Sequence, residues 1–129
     1  MRTIKFRGRE FASDTWVYGG CNPTPKGFWI TIPKNEVTFD NYRVVPETVG
    51  QFTGAFDCEG REIYEGDILS ACYGHSPNIT EVTGVVEFVH CGFALRFGKD
   101  AGVWLDQLIH AEIIGNIHNN PDLLKGGAL

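Results

Sequence analysis

Apolar and polar residues alternate with a period of two from the start of the chain. Thr3-Ile4-Lys5-Phe6-Arg7-Gly8 puts Ile4 and Phe6 on one side and Lys5 and Arg7 on the other, the pattern of a half-exposed strand. Thr15-Trp16-Val17-Tyr18-Gly19-Gly20 reads as a second short strand, rich in aromatic and β-branched residues and stopped by its glycines. Residues 9–14 then form a hairpin loop. Asn22 to Gly27 is a turn by composition, Phe28 to Ile32 a strand ended by Pro33, and Glu36 to Pro46 carries extended character again. The first third of the chain is therefore a meander of strands.

Pro46 suits the first position of a single helical turn before Gly50. Asp57-Cys58-Glu59-Gly60 fits a type I turn, with Asp at its first position and Gly at its fourth. Strands are expected over Glu62 to Ala71, Thr80 to Phe88, Cys91 to Phe97, Val103 to Leu105 and Glu112 to His118. With no long helix between them they cannot make a parallel sheet, but they can close an antiparallel barrel or roll. Asp106 to Leu108 suits one turn of 3₁₀ helix. Asn120 as N-cap and Pro121 at the next position open a last helical turn through Leu124. The expected organisation is an N-terminal β-meander lobe over residues 1–45, a small barrel lobe over 46–124 and a tail over 125–129.

Composition narrows the class. The apolar fraction is 43%, enough to bury a core, and 16 Gly with 6 Pro suit many turns and short elements. No apolar run approaches the ~18 residues that span a bilayer. The basic start lacks an apolar stretch after it, so a cytoplasmic protein away from membranes is expected. The net charge of −5 argues against broad nonspecific nucleic-acid binding. Yet Arg2, Lys5, Arg7 and Arg9 crowd into the first nine positions, forming either a charged edge strand or, with Trp16 and Tyr18 as stacking surfaces, a single-stranded nucleic-acid contact.

The densest candidate chemistry is Arg61-Glu62-Ile63-Tyr64-Glu65-Gly66-Asp67-Ile68-Leu69. Strand alternation sends Glu62 and Tyr64 to one face and Ile63, Glu65 and Asp67 to the other. A bend at Gly66 would reset this so that Ile63 and Ile68 both face the core, with Asp67 accepting backbone N–H groups to fix it. The acids then read as scaffold rather than as a hydrolytic pair or hard-metal site. Cys21, Cys58, Cys72 and Cys91 show no C-x-x-C spacing and are expected as free thiols. Cys72, His75, His90 and Cys91 hold the residue types of a zinc site, but His90 and Cys91 are neighbours and point apart in a strand. His110 and His118 read as surface or packing residues. No phosphate loop or nucleophile elbow occurs, so no cofactor, metal or catalytic residue is assigned.

Several of these segments carry a family resemblance. Gly50-Gln51-Phe52-Thr53-Gly54, the turn from Asp57 to Gly60, Glu62 to Leu69 with its Tyr64, Gly66 and Asp67, Gly84 to Phe88, and Ile113 to Leu124 with Gly115, Asn116 and Pro121 resemble the YopX-like proteins of phages and mobile elements, in that family's order. The opening strands look similar too. The resemblance implies a mainly β protein with an SH3-like small barrel and supplies no activity. The chain departs from the family's pattern at Ala55-Phe56 and Cys58-Glu59, where polar or basic residues are usual, which argues against a basic contact at that turn. The expected function is a non-enzymatic binding or assembly module that forms a homo-oligomer or holds a protein partner. The alternatives are the single-stranded nucleic-acid reading and a metal-dependent enzyme using Glu65 and Asp67 or the Cys/His set.

Overall fold

The period-two pattern produces a fold built from strands and single turns. The computed structural model describes residues 3–99 and 101–124. In chain order the strands are β1 (Phe6–Arg9), β2 (Trp16–Thr24), β3 (Gly27–Pro33), β4 (Phe39–Val44), β5 (Gly50–Phe56), β6 (Glu62–Tyr64), β7 (Asp67–His75), β8 (Asn78–Val89), β9 (Gly92–Arg96), β10 (Gly102–Trp104) and β11 (Leu108–Asn116). Three 3₁₀ turns, Pro46–Thr48, Leu105–Gln107 and Pro121–Leu124, are the helical elements among the described residues. No helix there is long and apolar enough to cross a membrane. The chain divides into two compact units, Met1–Phe52 and Thr53–Leu129.

The first unit is an antiparallel sheet in the order β4-β3-β2-β1-β5. Ile30 and Val44 are its most buried apolar side chains. β1 is an inner strand, paired on one side with β2 and on the other with β5, so the reading of a charged edge strand is corrected. The alternation expected within it also shifts: Ile4 is 65% exposed, whereas Arg7 is only 6% exposed. Arg7 lies opposite Tyr18, and Trp16 is the diagonal neighbour two residues along β2. The guanidinium carbon stands 4.6 Å from the Trp16 ring, where the ring's negative face offsets the desolvated charge.

The second unit is a five-stranded antiparallel sheet in the order β10-β9-β8-β7-β11, with β6 beside the continuation of β5. Its core is Ile63, Leu69, Ala71, Val86 and Leu95, with Val82, Val103, Leu108, Ala111 and Ile113 packed around them. Of the antiparallel barrel or roll expected, the antiparallel sheet forms and no closed barrel does among the described residues. β10 is three residues long and pairs with β9, and β10 and β11 stand at opposite ends of the strand order, linked by the 3₁₀ turn at Leu105–Gln107. The single strand expected from Glu62 to Ala71 is two strands, broken at Glu65-Gly66. β5 escaped the alternation reading because its glycines, Gly50 and Gly54, leave too few side chains to show a period.

Gly84 lies on β8 opposite Leu69, and a Cβ there would stand 2.4 Å from the carbonyl oxygen of Arg96 on β9 and 3.1 Å from Leu95 Cγ. The sheet curls at this point so tightly that only a residue without a side chain fits. Gly84→Ala is expected to lower stability by about 2 kcal/mol, the usual scale of overpacking, measured as a lower urea midpoint at unchanged slope.

Candidate functional site

The acids of residues 57–67 form two separate constructions in the second unit. At the first, Glu65 and Gly66 make a tight turn between β6 and β7, with Gly66 at φ +89°, a left-handed value that glycine adopts without strain. Asp67, 2% exposed, accepts the Tyr64 N–H at 2.7 Å through Oδ2. The turn's backbone is consumed as well: Gly66 donates to Val86 at 2.9 Å and its carbonyl accepts from Ile117 at 2.9 Å. Ile63 and Ile68 are then both buried, as the bend reading requires. The Gly115-Asn116 segment completes the construction. Asn116 pairs with Asp67 across β11 and β7, and its Oδ1 accepts from the N–H groups of His118 and Asn119 at 3.0 and 2.9 Å.

The second construction is a clip on β11. Asp57 opens the expected turn, with Gly60 donating to its carbonyl at 3.0 Å. Its side chain has no solvent exposure. Oδ1 accepts from the N–H groups of Glu59 at 3.0 Å and Arg61 at 2.9 Å; Oδ2 accepts from Arg61 Nε at 3.0 Å and from the Ile113 N–H at 3.1 Å. Arg61 also donates to the Ile113 carbonyl at 3.0 Å, and the Cys58 N–H donates to Ala111 at 2.8 Å. Burial by itself raises the Asp57 carboxyl, and the bonds from the Arg61 and Ile113 backbones, the Arg61 side chain and the Glu59 backbone outweigh it, holding the group at about 2 against an ordinary 3.8. The sequence marked Asp57 as a turn residue; its reach to β11 lies 56 positions away and leaves no local trace.

The other candidates are dispersed. Arg2 lies outside the described residues. Lys5 stands 5.9 Å from the Phe52 ring, Arg7 is stacked on Trp16, and Arg9 pairs with Asp14 at 2.8 Å while its N–H donates to Thr48. Arg7 and Arg9 are thus committed inside the first unit, and Tyr18, 44% exposed, is the open member of the aromatic pair. His75 sits at one end of the β7–β8 hairpin, while His90 and Cys91 turn the chain at the far end of β8. The length of β8 separates them. All four cysteines are free thiols, and no group of three His, Cys, Asp or Glu among the described residues is placed to share a metal ion.

Sequence reasoning passed over Trp104. It is 47% exposed and stands between two open grooves of the second unit. One, of about 290 Å³, is lined by Val89, His90, Ala94, Arg96 and Lys99; the other, of about 360 Å³, by Thr53, Ala55, Phe93, Leu105 and Asp106. Arg96 carries an ion pair to Glu87 at 2.9 Å. The available trace was Val103-Trp104-Leu105: three apolar residues in a row on a strand oblige one to face outward.

Fold and sites together define a small antiparallel β protein whose buried acids are held by backbone and guanidinium donors. The chain belongs to the YopX family: the family described as "YopX protein" matches residues 21–125, which takes in the Asp57 turn, the Asp67 bend and the Gly115-Asn116 segment. Its fold is similar to that of protein EF1440 from Enterococcus faecalis, known from a crystal structure, with a TM-score of 0.57 and 20% sequence identity over 96% of this chain and 99% of the other. No curated protein matches.

Both buried acids are testable. Asp67→Ala strands the Tyr64 N–H in a buried site and should cost about 2 kcal/mol in a urea titration, with the tryptophan fluorescence of the folded fraction unchanged. For Asp57 the folded-state pKa lies below the unfolded value, so its stabilisation is complete above the unfolded value and is lost as pH falls through about 2. Asp57→Asn places an amide N–H₂ against one pair of donors and should cost about 2–3 kcal/mol at neutral pH. The difference from wild type should stay constant above pH ~5 and shrink below pH ~4, read from urea midpoints across that range.

Proposed function

We propose that this YopX family member is a non-catalytic binding and assembly module of phage or mobile-element origin, and that it self-associates. The observation that carries the reading is Trp104, an exposed aromatic at the end of β10 with an open groove on either side. Large aromatics in such positions are the usual anchors of protein contacts. The buried acids support a scaffold role, because Asp57 and Asp67 spend oxygens on backbone donors.

An SH3-like ancestry for the second unit fits this reading. The order β10-β9-β8-β7-β11, with a 3₁₀ turn between β10 and β11, is the connectivity expected of such an interaction scaffold. The occupant proposed for the groove is a second copy. Arg96, Lys99 and His90 line one side of Trp104, and the chain itself carries a net charge of −5, with Glu47 and Glu59 exposed.

Sedimentation equilibrium across the micromolar range is expected to show wild-type association that weakens about tenfold or more in Trp104→Ala. A wild type that stays monomeric throughout, or a variant that associates as tightly as wild type, overturns the reading.

A further inference from the structure

β11 is the terminal strand of the second sheet, and its outer edge is covered by the Asp57–Arg61 turn, through one main-chain N–H and two side chains, in place of a strand. The residues whose backbone faces away from β7 are Ala111 and Ile113. The Ala111 carbonyl accepts from Cys58, the Ile113 N–H is taken by Asp57, and the Ile113 carbonyl by Arg61. Arg61, which closes the clip, has 48% of its side chain exposed, so the clip lies at the surface where it can open. Register shifts on either side, between Leu108 and His110 and between Ile113 and Gly115, leave Ile109 and Ile114 as the extra residues and confine the regular edge to His110–Ile113.

That short edge is complementary to itself. A two-fold axis through Ala111 would lay two copies of β11 antiparallel with Ala111 opposite Ala111. His110 of each then faces Glu112 of the other, an imidazole against a carboxylate. In that register the inter-strand hydrogen bonds centre on the Ala111 pair, and the clip occupies the Ala111 carbonyl there and both Ile113 groups beside it. His110 and Glu112 are both exposed, so both side chains are open to a partner strand.

We infer that the Asp57–Arg61 clip is a lock on a strand-pairing surface, and that the occupant of this surface when the clip opens is β11 of a second copy. The lock is a competition for the same backbone groups. While the clip is closed an approaching strand finds the Ala111 carbonyl and both Ile113 groups taken; losing the Arg61 side-chain bonds to Asp57 and to the Ile113 carbonyl lowers the cost of lifting the whole turn off β11, and a strand pairs once the turn has lifted.

The test compares wild type with Arg61→Leu by sedimentation velocity at matched concentrations, whatever the wild type's own association through Trp104. Arg61→Leu removes the side-chain bonds to Asp57 and to the Ile113 carbonyl, so the turn lifts from β11 more readily, and the variant is expected to associate about tenfold more tightly than wild type or better. Adding Glu112→Lys, an exposed change that sets a cation against His110, should abolish the gain. Adding His110→Glu to that pair should restore it, because the reversed charges meet across the same axis. Arg61→Lys serves if Arg61→Leu does not fold: it keeps a charge beside Asp57 without the fork that reaches Ile113, and it should show the same gain and the same dependence on residue 112. Folded Arg61 variants that sediment as wild type does, or a gain indifferent to residues 110 and 112, overturn the inference.

Discussion

A carboxylate with no solvent exposure must have donors, and Asp57 obtains four of them from three different places in the chain. Two come from its own turn, one from a guanidinium, and one from the middle of β11. A buried charge left unpaired is among the costliest defects a small domain can carry. The turn, Arg61 and β11 therefore have to be in place together, and the position of β11 against β7 follows from this as much as from side-chain packing. The lowered pKa of Asp57 expresses the same balance, since the donors outweigh burial.

Three of the segments within the family match meet on this strand. The Asp57–Gly60 turn and Arg61 hold β11 at Ala111 and Ile113, and the Glu65–Asp67 turn holds the chain just past its end, where Ile117 donates to Gly66. Gly115 is small for a steric reason within the same region, because a Cβ would stand 2.6 Å from Asn120 Oδ1. The recognisable residues are therefore largely those that set backbone geometry at two fastenings. Their shared chemistry is hydrogen bonding to main-chain groups, which accounts for motifs rich in Gly, Asp and Asn.

Local periodicity carried most of the strands and the 3₁₀ turns, because a turn or a half-buried strand is decided by neighbours in sequence. The Gly66–Asp67 bend was legible for that reason: its donor and acceptor are three residues apart. Arg7 was misread because burial of a cation depends on which strands flank it and on Trp16 across the sheet. Barrel closure was misread because strand count says nothing of how short β10 is or where the last turn leads. The Cys72, His75, His90 and Cys91 set failed on distance along a strand rather than on the opposite-face argument. A twelve-residue β8 separates its two ends. Trp104 was hidden because exposure is a property of the finished surface.

The two ends of the second sheet solve one problem in different ways. Any open sheet ends in a row of main-chain donors and acceptors that invites another strand. At one end β10 is three residues long and offers little to pair with. At the other end β11 is nine residues long and needs more. Covering it with a further strand would satisfy its hydrogen bonds and expose a new edge of the same kind. Asp57 and Arg61 satisfy the Ile113 groups with a carboxylate and a guanidinium, which have no strand edge of their own to present. A charged clip ends the sheet where another strand would only have moved its boundary, and its exposed half, Arg61, is the part that a single substitution reaches.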